Sequence, residues 1–441
     1  MIDNLEVATS SDAVLEDPEH LDATYQVLKK RVMEKVGKLA EITQVNHQVS
    51  LEEKIKQILK ADCDTFYLVD LSTIILKYKN WVQHLPRIKP HYAMKCNPDP
   101  RIVGTVTACG AGLDVASMPE MQRGLDAGVE PDSMIFANPC KMPDHIRFAK
   151  QHGVKKMTFD NANELKKIHE IYPEAHLVLR ILADDSHSTM RFGSKFGANV
   201  NNGEAEELLK VAYSLNLQVI GVSFHVGSGC QSGEAFRNSL KLARKVFDIA
   251  ESHTRPMSFL DIGGGFLGSD TETVIFADIA DSITKCIDEL FPGVTVIGEP
   301  GRYFASECVV LVTTVIARRE RVHHDEGQEP ETYVDYYISD GVYGSFNNMF
   351  FDYYKPNPHP MKNENTGNWS TPIGSASPPT QHHSTLFGPT CDSIDVVCKD
   401  VDLPELEIGD HVYFFNMGAY TSAAASSFNG FVPPKSHFII S

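Results

Sequence analysis

At 441 residues, with 42% hydrophobic and 22% charged side chains, the chain suits two domains or one large domain with an appendage, and its composition is that of an ordinary globular protein. Its formal charge of −18 argues against bulk binding to nucleic acid or to an anionic membrane surface. Nine cysteines without a CxxC pair or metal-ligand spacing point to free thiols of a reducing compartment rather than to a disulfide framework or a metal site.

The chain opens on Met1-Ile2-Asp3-Asn4-Leu5-Glu6, which lacks the apolar core of a signal peptide, and no apolar run approaches a membrane span, so a cytoplasmic protein is expected. Residues 1–50 read as an N-terminal extension, partly disordered, with a patchy helical pattern from Tyr25 to Ile42. Leu51 to Leu59 reads as a short helix, Thr65 to Leu71 as a strand, and Ser72 to His84 as a helix.

From Lys89 onward strand, loop and helix alternate. Apolar β runs occur at His91 to Met94, Gly112 to Ala116, Met134 to Ala137, Lys156 to Phe159, His176 to Ile181, Gln218 to His225, Met257 to Ile262 and Thr295 to Ile297. Segments of helical period such as Asn161 to Ile171 and Gly233 to Glu251 separate them. The pattern predicts a parallel sheet, and at this length a (β/α)8 TIM barrel over residues 72–311 closes it most economically, with a doubly wound open sheet as the alternative. After Ala317 the β runs Tyr333 to Ile338, Ser393 to Val397 and His411 to Phe415 follow without helices. Residues 51–71 together with 312–441 therefore read as an all-β domain, a Greek-key barrel or sandwich. Within it 357–383, rich in Pro, Asn, Ser, Thr and Gly, reads as a disordered loop.

Chemistry gathers where the barrel strands end, which is the rim on which barrel enzymes build their sites. Pro90-His91-Tyr92-Ala93-Met94-Lys95-Cys96-Asn97 is an apolar run closed by a single lysine. Phe224-His225-Val226-Gly227-Ser228-Gly229, Asp261-Ile262-Gly263-Gly264-Gly265-Phe266 and Gly298-Glu299-Pro300-Gly301-Arg302-Tyr303 each end a β run in a glycine-rich turn. Asp114 and Arg180 occupy the same position on two further runs. Gly263, Gly264 and Gly265 leave backbone N–H groups free to approach an anion, Gly301 and Arg302 add a turn and a guanidinium, and Glu299 places a carboxylate beside them. An anion next to a carboxylate calls for a dipolar ligand. Pyridoxal 5′-phosphate is one: Glu299 would keep its ring nitrogen protonated, Lys95 would react with its aldehyde, and His225 would lie over its ring.

In the C-terminal part, Asp340 and Asp392 each sit in a turn, where Asp commonly serves only local hydrogen bonding. Taken together they would bind a cationic group, with Cys391 beside them as a proton donor. Tyr-Ala-Met-Lys-Cys-Asn at Lys95, Leu-Asp-Val-Ala-Ser at Asp114, His-Val-Gly-Ser-Gly at His225, Asp-Ile-Gly-Gly-Gly-Phe at Gly263, Gly-Glu-Pro-Gly-Arg-Tyr at Glu299, Ser-Asp-Gly-Val-Tyr-Gly-Ser-Phe at Asp340, Gly-Pro-Thr-Cys-Asp at Cys391 and Ser-Phe-Asn-Gly-Phe at Phe428 follow in one order. In these the chain resembles the eukaryotic ornithine decarboxylases, of the alanine-racemase-like class of pyridoxal-phosphate enzymes, over roughly Thr65 to Phe431.

The resemblance implies decarboxylation of L-ornithine to putrescine by a head-to-tail homodimer with two shared active sites. It makes Lys95 the Schiff-base lysine, Glu299 the partner of the pyridine nitrogen and His225 the residue stacked on the ring. Ser228, Gly265, Arg302 and Tyr420 would hold the phosphate, while Asp114, Glu120 and Arg180 support the lysine and the ring hydroxyl side. Cys391 of a second copy would protonate the α-carbon, and Asp392 with Asp340, near Phe428, would bind the distal ammonium. Lys195 and Asp395 match a pair that bridges the dimer. Antizyme is a further implied partner, at Arg147 to Glu170 with Lys150, Lys155, Lys156, Lys166 and Lys167. Tyr353 departs from the family's usual His and resembles enzymes that also accept lysine, so a relaxed lysine/ornithine specificity is the alternative. A catalytically inactive relative resembling antizyme inhibitor is a second alternative, against which stands the full set of site residues.

Overall fold

The eight apolar runs become the eight strands of a closed parallel barrel in the computed structural model, which describes residues 22–62, 65–191, 193, 195–271, 273–323, 331–362 and 381–441. These residues fall into two units, one made of residues up to 40 with 73–305, the other of 41–72 with 306–441.

In the first unit the strands Ile88–Ala93, Gly112–Val115, Met134–Phe136, Lys156–Phe159, His176–Arg180, Gln218–Ser223, Phe259–Asp261 and Thr295–Gly298 pair in chain order. The last closes on the first, with Val296 opposite Ile88, which rules out the open sheet. Such strands are buried on both faces, which is why they read as continuous apolar runs rather than alternating ones. Ile135, Val178, Phe259 and Ile297 form one cluster of the barrel core. Several of the helices between strands begin on side-chain caps visible in the sequence: Ser117 accepts from Glu120 N–H, Asn161 from Glu164 N–H and Ser232 from Glu234 N–H.

Two of the glycine turns are held together from behind by aromatic rings. Trp81, its indole N–H on the Ile88 carbonyl at 2.8 Å, packs edge-on against Phe266 at 4.8 Å and Tyr303 at 5.4 Å between ring centroids. The Gly263–Gly265 turn and the Gly301–Arg302 turn are thereby fixed to a common support.

The expected extension takes a different form where it is described. Ala23–Val36 is a helix capped by Asp22, with Tyr25, Leu28, Val32 and Val36 buried and packed against the helix Pro100–Cys109. Lys35 Nζ donates to Thr107 Oγ1 at 2.8 Å, and a Cβ on Gly104 would stand only 3.1 Å from Val36 Cγ2. Four apolar side chains spaced at one helical face, each contributing roughly 1.5–3 kcal/mol on burial, hold the helix to the barrel.

The second unit is a mixed sheet of nine strands among the described residues. Its spine is the long strand Val309–His323. The first half pairs antiparallel with Phe66–Asp70 and His411–Phe414, and after a bulge between Val315 and Ala317 the second half pairs with Glu331–Ile338. Ile55 from the helix Leu51–Asp62 joins Phe66, Leu68, Val310, Val312, Met361, Tyr413 and Ile439 in its core. The expected loop 357–383 begins and ends in order: His359–Met361 pairs with His411–Phe414, and Gln381–Phe387 pairs with Glu331–Ile338, while 363–380 lies outside the described residues.

Candidate active site

Lys95 leaves the strand Ile88–Ala93 in a single 3-10 turn, Met94–Cys96, whose flanking side chains are buried. Its own side chain remains 43% exposed, and Nζ donates at 2.8 Å to Oδ2 of Asp114, which is 2% exposed. Parallel pairing sets the two side by side, because Asp114 lies opposite Ala93. Glu120, in the first turn of the helix Met118–Asp126, reaches back to accept from Ala116 N–H at 2.6 Å. Burial pushes the Glu120 carboxyl up, and the nearby Asp114 adds to it.

A second lysine of the rim offers a comparison. Lys141 is fully buried, and its ammonium is spent on Glu164 Oε1 at 2.8 Å, the Thr158 carbonyl at 2.5 Å and the Asn138 carbonyl at 3.1 Å. Three donors with three acceptors leave nothing to react. Lys95, half-exposed, is the amine that faces a ligand.

Beneath the rim lie Arg180, Ser223 and Asp261, opposite one another on three adjacent strands and hence on one face of the sheet. Asp261 Oδ1 accepts from Gly263 N–H at 2.9 Å, while its Oδ2 is buried without a donor. Glu299 N–H donates to the Gly263 carbonyl at 2.7 Å, so Gly263 is gripped from both sides. Burial drives the Glu299 carboxyl well above the carboxylate range, with Asp114 and Asp261 reinforcing the shift and Lys95 opposing it. Asp261 is raised in the same way by its burial. The two acids stand close enough to share a proton.

His225 accepts from Gly227 N–H at Nδ1, 3.0 Å, so its ring is neutral with the proton on Nε2. Burial first, then Arg180 and Lys95, pull its basicity down, which keeps it neutral. Gly263 and Gly265 have φ of 66° and 108°, conformations that L side chains rarely adopt. A Cβ on Gly264 would lie 2.8 Å from the Glu299 carbonyl oxygen and 2.9 Å from His225 Nε2. This turn is therefore a cradle with no room for side chains. Arg302 donates to Ser228 Oγ at 2.9 Å, joining a guanidinium to a hydroxyl beside the neighbouring turn.

The remaining predicted residues belong to the second unit. Cys391 is exposed, and its N–H donates to Asn429 Oδ1 at 3.0 Å. Asp392 accepts from Tyr343 Oη at 2.5 Å and from Ile394 N–H at 3.1 Å, and these bonds, the phenol's first, lower its carboxyl. Phe428 stacks on Tyr343 with ring centroids 4.2 Å apart. Tyr420 is half-buried with φ of 57°.

Asp340, expected to bind the substrate's distal ammonium with Asp392, is held by donors of its own turn. It is buried and accepts from Gly341 N–H at 2.7 Å, from Ser345 N–H at 3.1 Å and from the Ser345 hydroxyl, which itself meets Tyr67 Oη at 2.5 Å. Three donors of its own turn thus meet its two oxygens. Asp395 is likewise buried, taken by Val342 N–H and by the N–H and hydroxyl of Thr390, while Lys195 is exposed with its ammonium 4.9 Å from the Phe196 ring centroid. Asp261, Tyr343 and Asn429 were not among the expected site residues. Asp261 had a signal in the sequence, an acid directly ahead of a glycine turn. Tyr343 and Asn429 had only their places inside two of the quoted runs.

Residues 71–306, more than half the chain, match the model of the pyridoxal-dependent decarboxylase family, pyridoxal-binding domain. The chain belongs to the pyridoxal-dependent decarboxylases. It is 47% identical to the probable ornithine decarboxylase of Dictyostelium discoideum over 89% of this chain and 83% of that protein. Antizyme inhibitor 2 of Xenopus laevis is 42% identical over 88% of this chain and 84% of its own. Among solved structures, the arginine decarboxylase of Paramecium bursaria Chlorella virus superposes with a TM-score of 0.79 and 35% identity, covering 88% of this chain and 99% of that one.

Pyridoxal phosphate is the cofactor of this decarboxylase, and the barrel rim fits it. Glu299 and the donorless Asp261 oxygen, buried together, call for the cationic nitrogen that a pyridine ring carries when protonated. The glycine cradle with Ser228 and Arg302 supplies donors for a phosphate, and Lys95, half-exposed and paired with Asp114, is the amine for an aldehyde.

Proposed function

We propose that this decarboxylase converts L-ornithine to putrescine and carbon dioxide, the entry into polyamine synthesis. The observation that carries the reading is the rim itself, where one half-exposed amine, Lys95, is set against the buried Asp114 beside the buried pair Glu299 and Asp261. Decarboxylase chemistry on a basic amino acid follows from the family and from the relatives named above, and ornithine from the first of them.

When bound, pyridoxal phosphate supplies the electron sink for the pair left on the α-carbon as carbon dioxide departs. The chain's own groups make that possible. Lys95 would hold the cofactor through its aldehyde, and Asp114 keeps the lysine oriented. Glu299, backed by Asp261, holds a proton at the ring nitrogen. The neutral His225 would lie over the ring without adding a charge. The amides of Gly263, Gly264 and Gly265 with Ser228 and Arg302 would anchor the phosphate, and Gly301 lets the Arg302 turn approach. Arg180 and Glu120 support the ring hydroxyl side. Cys391 gives the α-carbon its proton, and Asp392, beside Phe428, receives the distal ammonium.

The assembly belongs to the proposal: a homodimer in which the Cys391–Asp392 loop of one copy serves the barrel of the other. Phe350, Phe351, Tyr353, Phe431 and Val432, between 44% and 82% exposed, give the second unit apolar surface for such a contact. Antizyme is a proposed partner at the lysines between Lys150 and Lys167, of which Lys150 pairs with Glu174 and Lys167 with Glu164. A cytoplasmic site is proposed from the eight free cysteines among the described residues, none of whose helices is long and apolar enough to cross a membrane.

The test is amine and carbon dioxide release from purified protein with added pyridoxal phosphate, offering ornithine, lysine and arginine separately. Predominant putrescine supports the reading. Cadaverine at comparable efficiency makes it a lysine/ornithine decarboxylase, as the exposed Tyr353 in place of His would allow. A protein that binds the cofactor on Lys95 and processes none of the three is a regulator like the Xenopus relative.

A further inference from the structure

Three loops of the second unit meet around Tyr343. Buried Asp395 ties the first two, accepting Val342 N–H at 2.8 Å from the turn Asp340–Ser345 and Thr390 N–H at 2.9 Å from its own loop. The closeness is absolute: a Cβ on Gly341 or on Gly388 would fall 2.1 Å from Asp395 Oδ1. Ser426 N–H donates to the Tyr343 carbonyl at 2.9 Å, and Phe428 stacks on the Tyr343 ring, which brings in the third loop.

Within this bolted frame two side-chain contacts do something other than anchor backbone to backbone. Tyr343 Oη fixes one oxygen of Asp392 while Ile394 N–H fixes the other, so the carboxylate is locked in plane as well as in place. Asn429, held at φ 53° and ψ 16°, turns its Oδ1 onto the N–H of Cys391. That backbone region disfavours most side chains and is tolerated by Asn, whose short amide bonds locally. Asn429 is exposed and Tyr343 only half-buried, so neither serves to fill a core.

We propose that Tyr343 and Asn429 are positioning residues, Tyr343 aiming the Asp392 carboxylate at the substrate's distal ammonium and Asn429 aiming the Cys391 thiol at the α-carbon. The proposal rests on the roles given to Cys391 and Asp392 above. It divides labour between the two contacts. Losing the Tyr343 hydroxyl loosens substrate binding, and losing the Asn429 carbonyl slows proton delivery.

The experiment is steady-state kinetics on full-length holoenzyme with ornithine, alongside the rate at which iodoacetamide alkylates Cys391, read by peptide mass spectrometry. Tyr343→Phe keeps the ring stack and removes one charge-assisted hydrogen bond, so KM rises about tenfold while kcat holds. Asn429→Gly keeps the left-handed turn and removes the acceptor, so kcat falls about tenfold, within the range of a misplaced general acid, KM holds, and alkylation of Cys391 changes rate. Asn429→Asp, which restores an acceptor oxygen, recovers kcat. A merely structural role predicts equal losses in KM and kcat for both variants with no recovery, and that pattern overturns the proposal. Wild-type behaviour of Tyr343→Phe and Asn429→Gly, with Cys391→Ala and Asp392→Ala impaired, overturns the positioning roles alone. An active wild type with Cys391→Ala and Asp392→Ala unimpaired removes the reading beneath them.

Discussion

Replacing Asp340 separates two accounts of an acid that the sequence places among the substrate-binding residues and the structure places inside a turn. Its carboxylate is raised from 3.8 to about 6, chiefly by burial and against the pull of its donors from Ser345 and Gly341. The native state therefore holds that proton more tightly than the unfolded chain does. Between pH 4 and 6 the native protein binds more protons, so stability falls as pH rises through that window and the loss is complete above about pH 7. A shift of about two units corresponds to roughly 3 kcal/mol. Asp340→Asn cannot titrate. Its stability relative to wild type should improve by that order between pH 4 and pH 7, on top of a pH-independent offset from the amide presenting N–H to the Ser345 hydroxyl. Asp340→Ala takes the acceptor from the buried N–H groups of Gly341 and Ser345, at roughly 1–3 kcal/mol each, and should be destabilised at every pH. Urea unfolding followed by tryptophan fluorescence and circular dichroism across pH 4–8 measures both, and ornithine KM on the folded variants completes the assay. A pH-independent difference between Asp340→Asn and wild type, together with a selective rise in KM, would refute the buried-anchor account and return Asp340 to the substrate.

Gly264→Ala should weaken pyridoxal-phosphate affinity at least about tenfold, since a methyl 2.8 Å from the Glu299 carbonyl must displace the cradle by several tenths of an ångström; an unchanged dissociation constant by fluorescence titration would count against the cradle. Lys141→Met should cost roughly 3–5 kcal/mol in urea unfolding because it strips the buried Glu164 of one of its two cations, the other being Lys167.

The barrel was legible because each of its strands is buried on both faces, which leaves short apolar runs at regular intervals, and because Ser117, Asn161 and Ser232 mark helix starts by their chemistry alone. Closure was expected from strand number and length, not from any local signal. It depends on Val296 meeting Ile88, a pairing of chain ends that no local period encodes. Tyr25, Leu28, Val32 and Val36 carry helical spacing in plain view, but the surrounding lysines and glutamates dilute it, and what decides that the helix docks is the narrow surface at Gly104. Asp340 shows the opposite limit. An Asp in a turn reads the same whether its carboxylate points to solvent or inward, and the direction here is set by Tyr67 on a strand far away in sequence.

The site's electrostatics tie these levels together. Parallel strands ending at one rim bring Asp114, Asp261 and Glu299, distant in sequence, into a buried group that faces Lys95 and Arg180. Lys95 is committed to Asp114 at 2.8 Å. Arg180 eases Asp261 only in part, since burial still raises that acid. Glu299, raised well above its ordinary value by burial, is left to hold a proton. An enzyme that needed only a rigid pocket would gain from replacing such a group with apolar side chains. One that must keep a ring nitrogen protonated needs a carboxylate placed where water cannot screen it, and the proton that burial forces onto Glu299 and Asp261 is the one the cofactor's nitrogen is built to share.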